Sequence, residues 1–366
     1  MFKKLTMVIF VLLLSIAVLT ACGSKSTNVP KNENDNETQA PESAIQPEDE
    51  LQAIKAELLK AADEVVVTED EVIFKDDSRR EVITIKKKPQ KVAVLYGSHA
   101  CLYTEAGGKV SVGIGGASAE ALYEKQIGRN IMKDEGVVTI ATSSSGKSWN
   151  VEAILAEKPD LIICSTAMSG YSTISKPAEA VNIPVIAITY NGVSDYLKWF
   201  KVFCNINEKP ELWDSVAAKV ANEIANIQLK AKKANKNPKV MALTAGKNGF
   251  SALLSNSDTG AIIKDLYGIN LADISGSSAT SVDINLEDIY TANPELVFIR
   301  NSATDRETAE TLEKLVKDNP IWESLEAVKN GRVYILPQEL FWYRPNHRYA
   351  ESYKMMAEWL YPDIEF

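Results

Sequence analysis

The chain of 366 residues is 45% apolar and 24% charged, and its 49 acidic against 40 basic side chains give a formal charge of −9. That acidic balance, with lysines scattered along the chain, argues against a nucleic-acid-binding surface. Two histidines, and four cysteines with no CxxC pair, argue against a bare zinc or manganese site.

In chain order, residues 1–22 read as an export signal. Lys3 and Lys4 lead, Val8 to Val18 is apolar, and Leu19-Thr20-Ala21-Cys22 closes the segment. The apolar stretch is short for a membrane span, so cleavage is expected. The closing tetrad resembles a bacterial lipobox. That resemblance implies a lipid on Cys22 and a protein tethered to the extracellular face of the cell membrane. Residues 23–47 are almost devoid of apolar side chains and are expected to be a solvated tether.

Residues 48–90 carry a helical pattern over 48–64, with Leu51, Ile54, Leu58 and Leu59 on one side, then a hairpin with strands 71–75 and 81–86 around Asp76-Asp77-Ser78. A first lobe is expected over 91–207. Its strands at 91–96, 110–114, 137–140, 161–164 and 185–189 alternate with helical segments, the pattern of a mostly parallel sheet covered on both faces. Within 208–236, residues 211–234 form the longest helical pattern free of Gly and Pro, read as a rigid connector helix. A second lobe over 237–366 restarts with Lys239–Thr244, continues through 294–299 and 333–336, and ends in a helix over 349–360. The fold class expected is α/β: two similar lobes, one long connector helix, and a ligand cleft between the lobes.

One motif occurs twice. Asn150-Val151-Glu152-Ala153-Ile154 runs to Pro159-Asp160-Leu161, and Asn285-Leu286-Glu287-Asp288-Ile289 runs to Pro294-Glu295-Leu296, both N-x-E-x-I-x4-P-[DE]-L. The Asn suits a helix N-cap and the Glu suits the positive end of the helix dipole. A helix–strand unit repeated at domain distance fits two similar lobes, and two lobes imply a cleft. Cys101, Cys164 and Cys204 read as small core residues, with a Cys101–Cys164 bridge as the alternative. Ala141–Ser148 nearly spells a phosphate loop but has Ala where the motif needs Gly, so it reads as a polar cleft loop. No G-x-S-x-G or H-E-x-x-H motif gives an enzyme an anchor.

Beyond the tether the chain resembles the substrate-binding lipoproteins of ABC importers, in the class that serves ferric siderophores, haem and cobalamin. The resemblance rests on the hairpin leading into Lys88-Pro89-Gln90-Lys91-Val92, on the paired motif, and on Asn319-Pro320-Ile321-Trp322 followed by Lys329-Asn330-Gly331-Arg332-Val333-Tyr334. It implies a monomeric receptor rather than an enzyme, with no resident cofactor, delivering its ligand to a permease and its ATPase. It also implies that Glu152 and Glu287, one on each lobe, dock onto that permease.

Ligands of open α/β sheets bind beyond the carboxyl ends of the strands. That rule selects Tyr96, Ser98, His99, Lys147, Trp149, Thr166, Met168, Tyr171 and Tyr190 in the first lobe, and Lys247, Arg300, Phe341, Trp342, Tyr343 and Arg344 in the second. About half of the rings are expected to be core. An anionic ferric siderophore would be favoured by Lys147, Lys247, Arg300 and Arg344. Haem would need an axial donor from Tyr96, His99, Met168, Tyr171 or His347, and cobalamin would depend on the aromatics.

Overall fold

A computed structural model describes residues 47–79, 81–167, 169–246, 249–300 and 305–366; the expected signal, Cys22, the tether up to residue 46, Met168 and Lys247 lie outside the described residues. The helix Pro47–Asp63 leads into an antiparallel sheet of β1 (Val66–Val67), β2 (Glu71–Lys75) and β3 (Val82–Lys86). The turn between β2 and β3 is not a solvated tip, for Asp76 is fully buried. Its carboxylate accepts from the Ala187 N–H, the Asp77 carboxylate from the Thr189 N–H, and Arg79 donates to the Val185 carbonyl at 3.0 Å.

The first sheet holds β4 (Val92–Val94), β5 (Val110–Ile114), β6 (Val138–Ala141), β7 (Leu161–Ser165) and β8 (Val185–Ile188), all parallel, in the order β6-β5-β4-β7-β8. Side chains alternate between two buried faces. Val92, Val94, Leu161, Ile163, Ile186 and Ile188 face one core, while Ala93, Leu95, Ile162, Cys164, Val185 and Ala187 face another. Strands buried on both faces read as unbroken apolar runs, which is why the sequence shows them clearly.

The same alternation rules out the Cys101–Cys164 bridge. Cys101, on the helix Gly97–Glu105, belongs to the first core, whereas Cys164 on β7 points to the opposite face. Cys101, Cys164 and Cys204 are free and buried, and burial raises the pKa of all three thiols, that of Cys204 to about 12.

The helix expected over 211–234 contains a π turn, Trp213–Ala217, ahead of its α-helical part, Ala218–Lys233. The sequence pattern supplies a reason. Apolar pairs recur every four residues (Leu212-Trp213, Val216-Ala217, Val220-Ala221, Ile224-Ala225), and all pack on the main core. An α-helix turns in about 3.6 residues, so a four-residue repeat drifts around its surface unless one turn is wider.

The second sheet holds β9 (Lys239–Gly246), β10 (Gly249–Leu253), β11 (Ile269–Asn270), β12 (Ser281–Ile284), β13 (Leu296–Arg300) and β14 (Val333–Ile335). Its order is β12-β10-β9-β13-β14, with β11 also beside β9. The pairings β9–β11, β9–β13 and β13–β14 are parallel, but β10 runs antiparallel to both β9 and β12. A hairpin therefore replaces the first strand–helix crossover of the other lobe. Val240, Ala242, Leu296 and Phe298 join the core already formed by the inner face of the first sheet, so one apolar mass connects the two lobes. The closing helix is Tyr349–Leu360.

Candidate functional site

A cavity of about 330 Å³ opens beyond the carboxyl ends of β4, β5 and β6. One wall is polar. Ser98 follows β4, Ser118 stands on the helix Ala117–Ile127, and Thr142, Ser143 and Ser144 follow β6. Ile114 and Leu122 form the apolar floor, and Tyr96 adds a ring. Trp342, Tyr343 and Arg344, reaching across from the second lobe, close the opposite side.

The polar wall is braced from behind. Trp149 is buried, and its indole N–H donates to the Ser143 carbonyl at 3.1 Å. A Cβ on Gly146 would lie 2.6 Å from the Ser169 carbonyl oxygen, so the residue that looked like part of a phosphate loop serves backbone packing instead. Lys147, between them, is exposed and stands off the cavity wall.

The arginine side is held by an acid. The Asp258 carboxylate, 11% exposed, receives Arg300 Nη1 on Oδ1 and Arg344 Nη1 on Oδ2, both at 2.6 Å. The two guanidinium groups hold its carboxyl below the usual range despite its burial. Arg300 Nη1 also donates to the Phe341 carbonyl at 2.9 Å, and its guanidinium lies 5.4 Å from the Trp342 ring. Arg344 Nε donates to the Tyr190 carbonyl at 2.6 Å, which ties the second lobe to the first.

Further ties follow along the same segment. The Tyr190 hydroxyl donates to Asn346 Oδ1 at 2.9 Å, Asn346 Nδ2 donates to Glu105, and His347 Nδ1 lies 3.3 Å from Glu105 Oε1. Gln126 Nε2 donates to the Arg344 carbonyl.

The residues selected from the sequence thus separate. Tyr96, Ser98, Trp342, Tyr343 and Arg344 meet at the cavity. His99, Tyr190 and Phe341 are buried off its wall. The His99 ring lies 4.6 Å from that of Tyr96, and neither of its nitrogens meets a polar partner among the described residues. Burial first, and then Arg344, push its pKa down to about 3, so it is a neutral imidazole. Thr166 is exposed and shares a hydrogen bond with Thr189. Tyr171 lines a separate cavity of about 510 Å³ between β3 and β8. Asp258, Ser118 and Gln126 escaped the sequence reading. Asp258 follows the N-cap Ser257 and looks like an ordinary first-turn acid, and nothing local reveals partners 42 and 86 residues away.

Glu152 and Glu287 lie outside this cavity, exposed in the first turns of two short helices. Asn150 caps the first of these by accepting from the Ala153 N–H, and Asn285 forms a reciprocal capping box with Asp288.

The chain is 27% identical over 286 residues to the petrobactin-binding protein YclQ of Bacillus subtilis, covering 73% of this chain and 84% of the relative. It is 27% identical over 255 residues to the Fe(3+)-citrate-binding protein YfmC of the same organism, covering 69% and 74%. The fold matches that of Staphylococcus aureus IsdE complexed with heme at a TM-score of 0.60, with 18% identity over 75% of this chain and 99% of the other. The model of the periplasmic binding protein family matches residues 100–340. The described architecture and these likenesses agree: the chain belongs to the periplasmic binding protein family, whose members bind and hand over solutes rather than transform them.

Proposed function

We propose that the protein is the solute receptor of an ABC importer and that it binds a ferric chelate, foremost a siderophore, in the cavity between Tyr96 and Trp342–Arg344. The observation that carries this reading is the joint construction of the cavity. Strand ends of the first lobe supply hydroxyls, and one aromatic segment of the second supplies flat rings and a guanidinium. Such a wall suits a large ring-bearing ligand. Relatives named for petrobactin and for ferric citrate support the iron-chelate class.

In this reading the lobes are residues 91–207 and 237–366, connected by 208–236. The receptor works as a monomer held on the extracellular face of the membrane by a lipid on Cys22. A relative from Bacillus subtilis, 24% identical over 295 residues, is named an ABC transporter substrate-binding lipoprotein. Among the described residues no helix is long and apolar enough to cross a membrane.

A tetrapyrrole is the second reading, favoured by the likeness to heme-bound IsdE and by the Tyr96 and Tyr343 phenols on the wall. The test is a tryptophan-fluorescence titration with ferric hydroxamates, ferric catecholates, haem and cobalamin. Saturable quenching by a ferric chelate, weakened about tenfold or more in Trp342→Ala and Arg344→Ala, is the expected result. Haem or cobalamin binding alone selects the second reading, and unchanged affinity in both variants removes the site from this cavity.

A further inference from the structure

The sequence offers four cations for an anionic cargo, but the structure cancels part of that charge. Among the described residues, Arg344 is the one charged side chain on the cavity wall. Arg300 stands behind, engaged with Asp258, Thr259 and the Phe341 carbonyl. Asp258 bridges both guanidinium groups, so two positive charges and one negative leave a single net positive charge. Among the described residues the rest of the wall is uncharged: the hydroxyls of Ser98, Ser118 and Thr142 and the ring of Tyr96 on one side, and the rings of Trp342 and Tyr343 on the other.

A chelate with three negative charges entering this cleft would lose its hydration, meet one compensating charge, and face the Asp258 carboxylate close behind. Desolvating charge without matching it is unfavourable. A neutral or singly anionic chelate loses much less, and its oxygens find hydroxyl donors. We propose that Asp258 is the specificity-determining residue of the site: it restricts the cargo to chelates that are neutral or carry one negative charge. This inference rests on the ferric-chelate reading above and names the charge class within it.

The experiment compares a neutral ferric trihydroxamate with a trianionic ferric tricatecholate, using the purified full-length protein. Wild type is expected to prefer the trihydroxamate by about 30-fold or more, with an affinity that changes little between low and high salt. Asp258→Asn keeps the shape but removes the negative charge, and should raise tricatecholate affinity by about tenfold or more. Ser118→Lys adds a cation to the wall without touching the buried trio, so it tests the shortage of positive charge independently of Asp258 and should also raise tricatecholate affinity. Tricatecholate binding in wild type as tight as trihydroxamate binding overturns the charge restriction and leaves the receptor reading intact. A wild-type preference that Asp258→Asn leaves unchanged overturns the role of Asp258, and one that Ser118→Lys leaves unchanged overturns the charge restriction itself. Binding of neither chelate overturns the receptor's ferric cargo and this inference together.

Discussion

Asp77 gathers groups from two distant elements. Its carboxylate takes Lys198 Nζ at 2.5 Å and the Trp199 indole N–H at 3.1 Å, both from the helix Val193–Ile206, and the Thr189 N–H at 2.8 Å. Lys198 also lies 4.4 Å from the Trp199 ring. Both members of the ion pair are largely buried, at 11% and 17% side-chain exposure. Removing the acid leaves an ammonium and two N–H groups without their partner, so Asp77→Ala should cost about 3 kcal/mol of stability, read from a urea midpoint. Asp77→Asn should cost less, because it retains an acceptor. None of this was legible beforehand. Asp76-Asp77-Ser78 reads locally as a turn, which it is, but its partners lie more than a hundred residues away in the chain. The partners of Asp258 are hidden for the same reason, whereas Trp342 and Arg344, which line the cavity, stand out in the sequence because they are crowded into one unusual segment.

At the scale of elements, periodicity carried most of the reading. The parallel strands of the first lobe and the closing helix lie where their apolar patterns place them. The hairpin between β9 and β10 is not visible in the sequence, because Ala245-Gly246 repeats the strand ending of the first lobe and suggests the same helical crossover. The contact between the helix Gly97–Glu105 and the segment around His347 makes a pH prediction possible. The His347 pKa is raised, first by its hydrogen bond to Glu105, and burial raises that of Glu105. A raised pKa means that the folded state holds the proton more tightly. Stability from both groups is therefore present at low pH and lost as pH climbs from the Glu reference of 4.5 to beyond the His reference of 6.5. Between about pH 5 and about pH 8, wild type should lose more stability than Glu105→Gln, which removes both the raised carboxyl and the partner that raises His347, measured as the difference in their urea midpoints. Parallel curves for the two proteins would show that this contact contributes nothing to the pH dependence.

The whole molecule repeats one device on two lobes: an asparagine-capped helix with an exposed glutamate in its first turn, followed by a buried strand. Neither glutamate lines the cavity between Tyr96 and Trp342. We expect Glu152→Ala with Glu287→Ala to leave chelate affinity unchanged and to abolish uptake into cells, as a pair of docking contacts would require. Weakened binding in the purified variant would place them in the cleft instead. That repeat was fully visible in the sequence, because its caps and spacing are local. The relation between the lobes was not, because it depends on long-range partners such as the Tyr190 carbonyl and Arg344.

The tip of the β2–β3 hairpin also bears on how such molecules behave in crowds. β8 is the outer strand of the first sheet, and a bare outer strand is a template on which another chain can polymerise. Here Asp76, Asp77 and Arg79 occupy backbone groups of Val185, Ala187 and Thr189, each with a side chain rather than a strand. A neighbouring copy therefore finds these hydrogen bonds already taken. Wherever many copies are held close together, damage to this tip should appear as clustering and fibre growth, even in molecules whose ligand cleft is still whole.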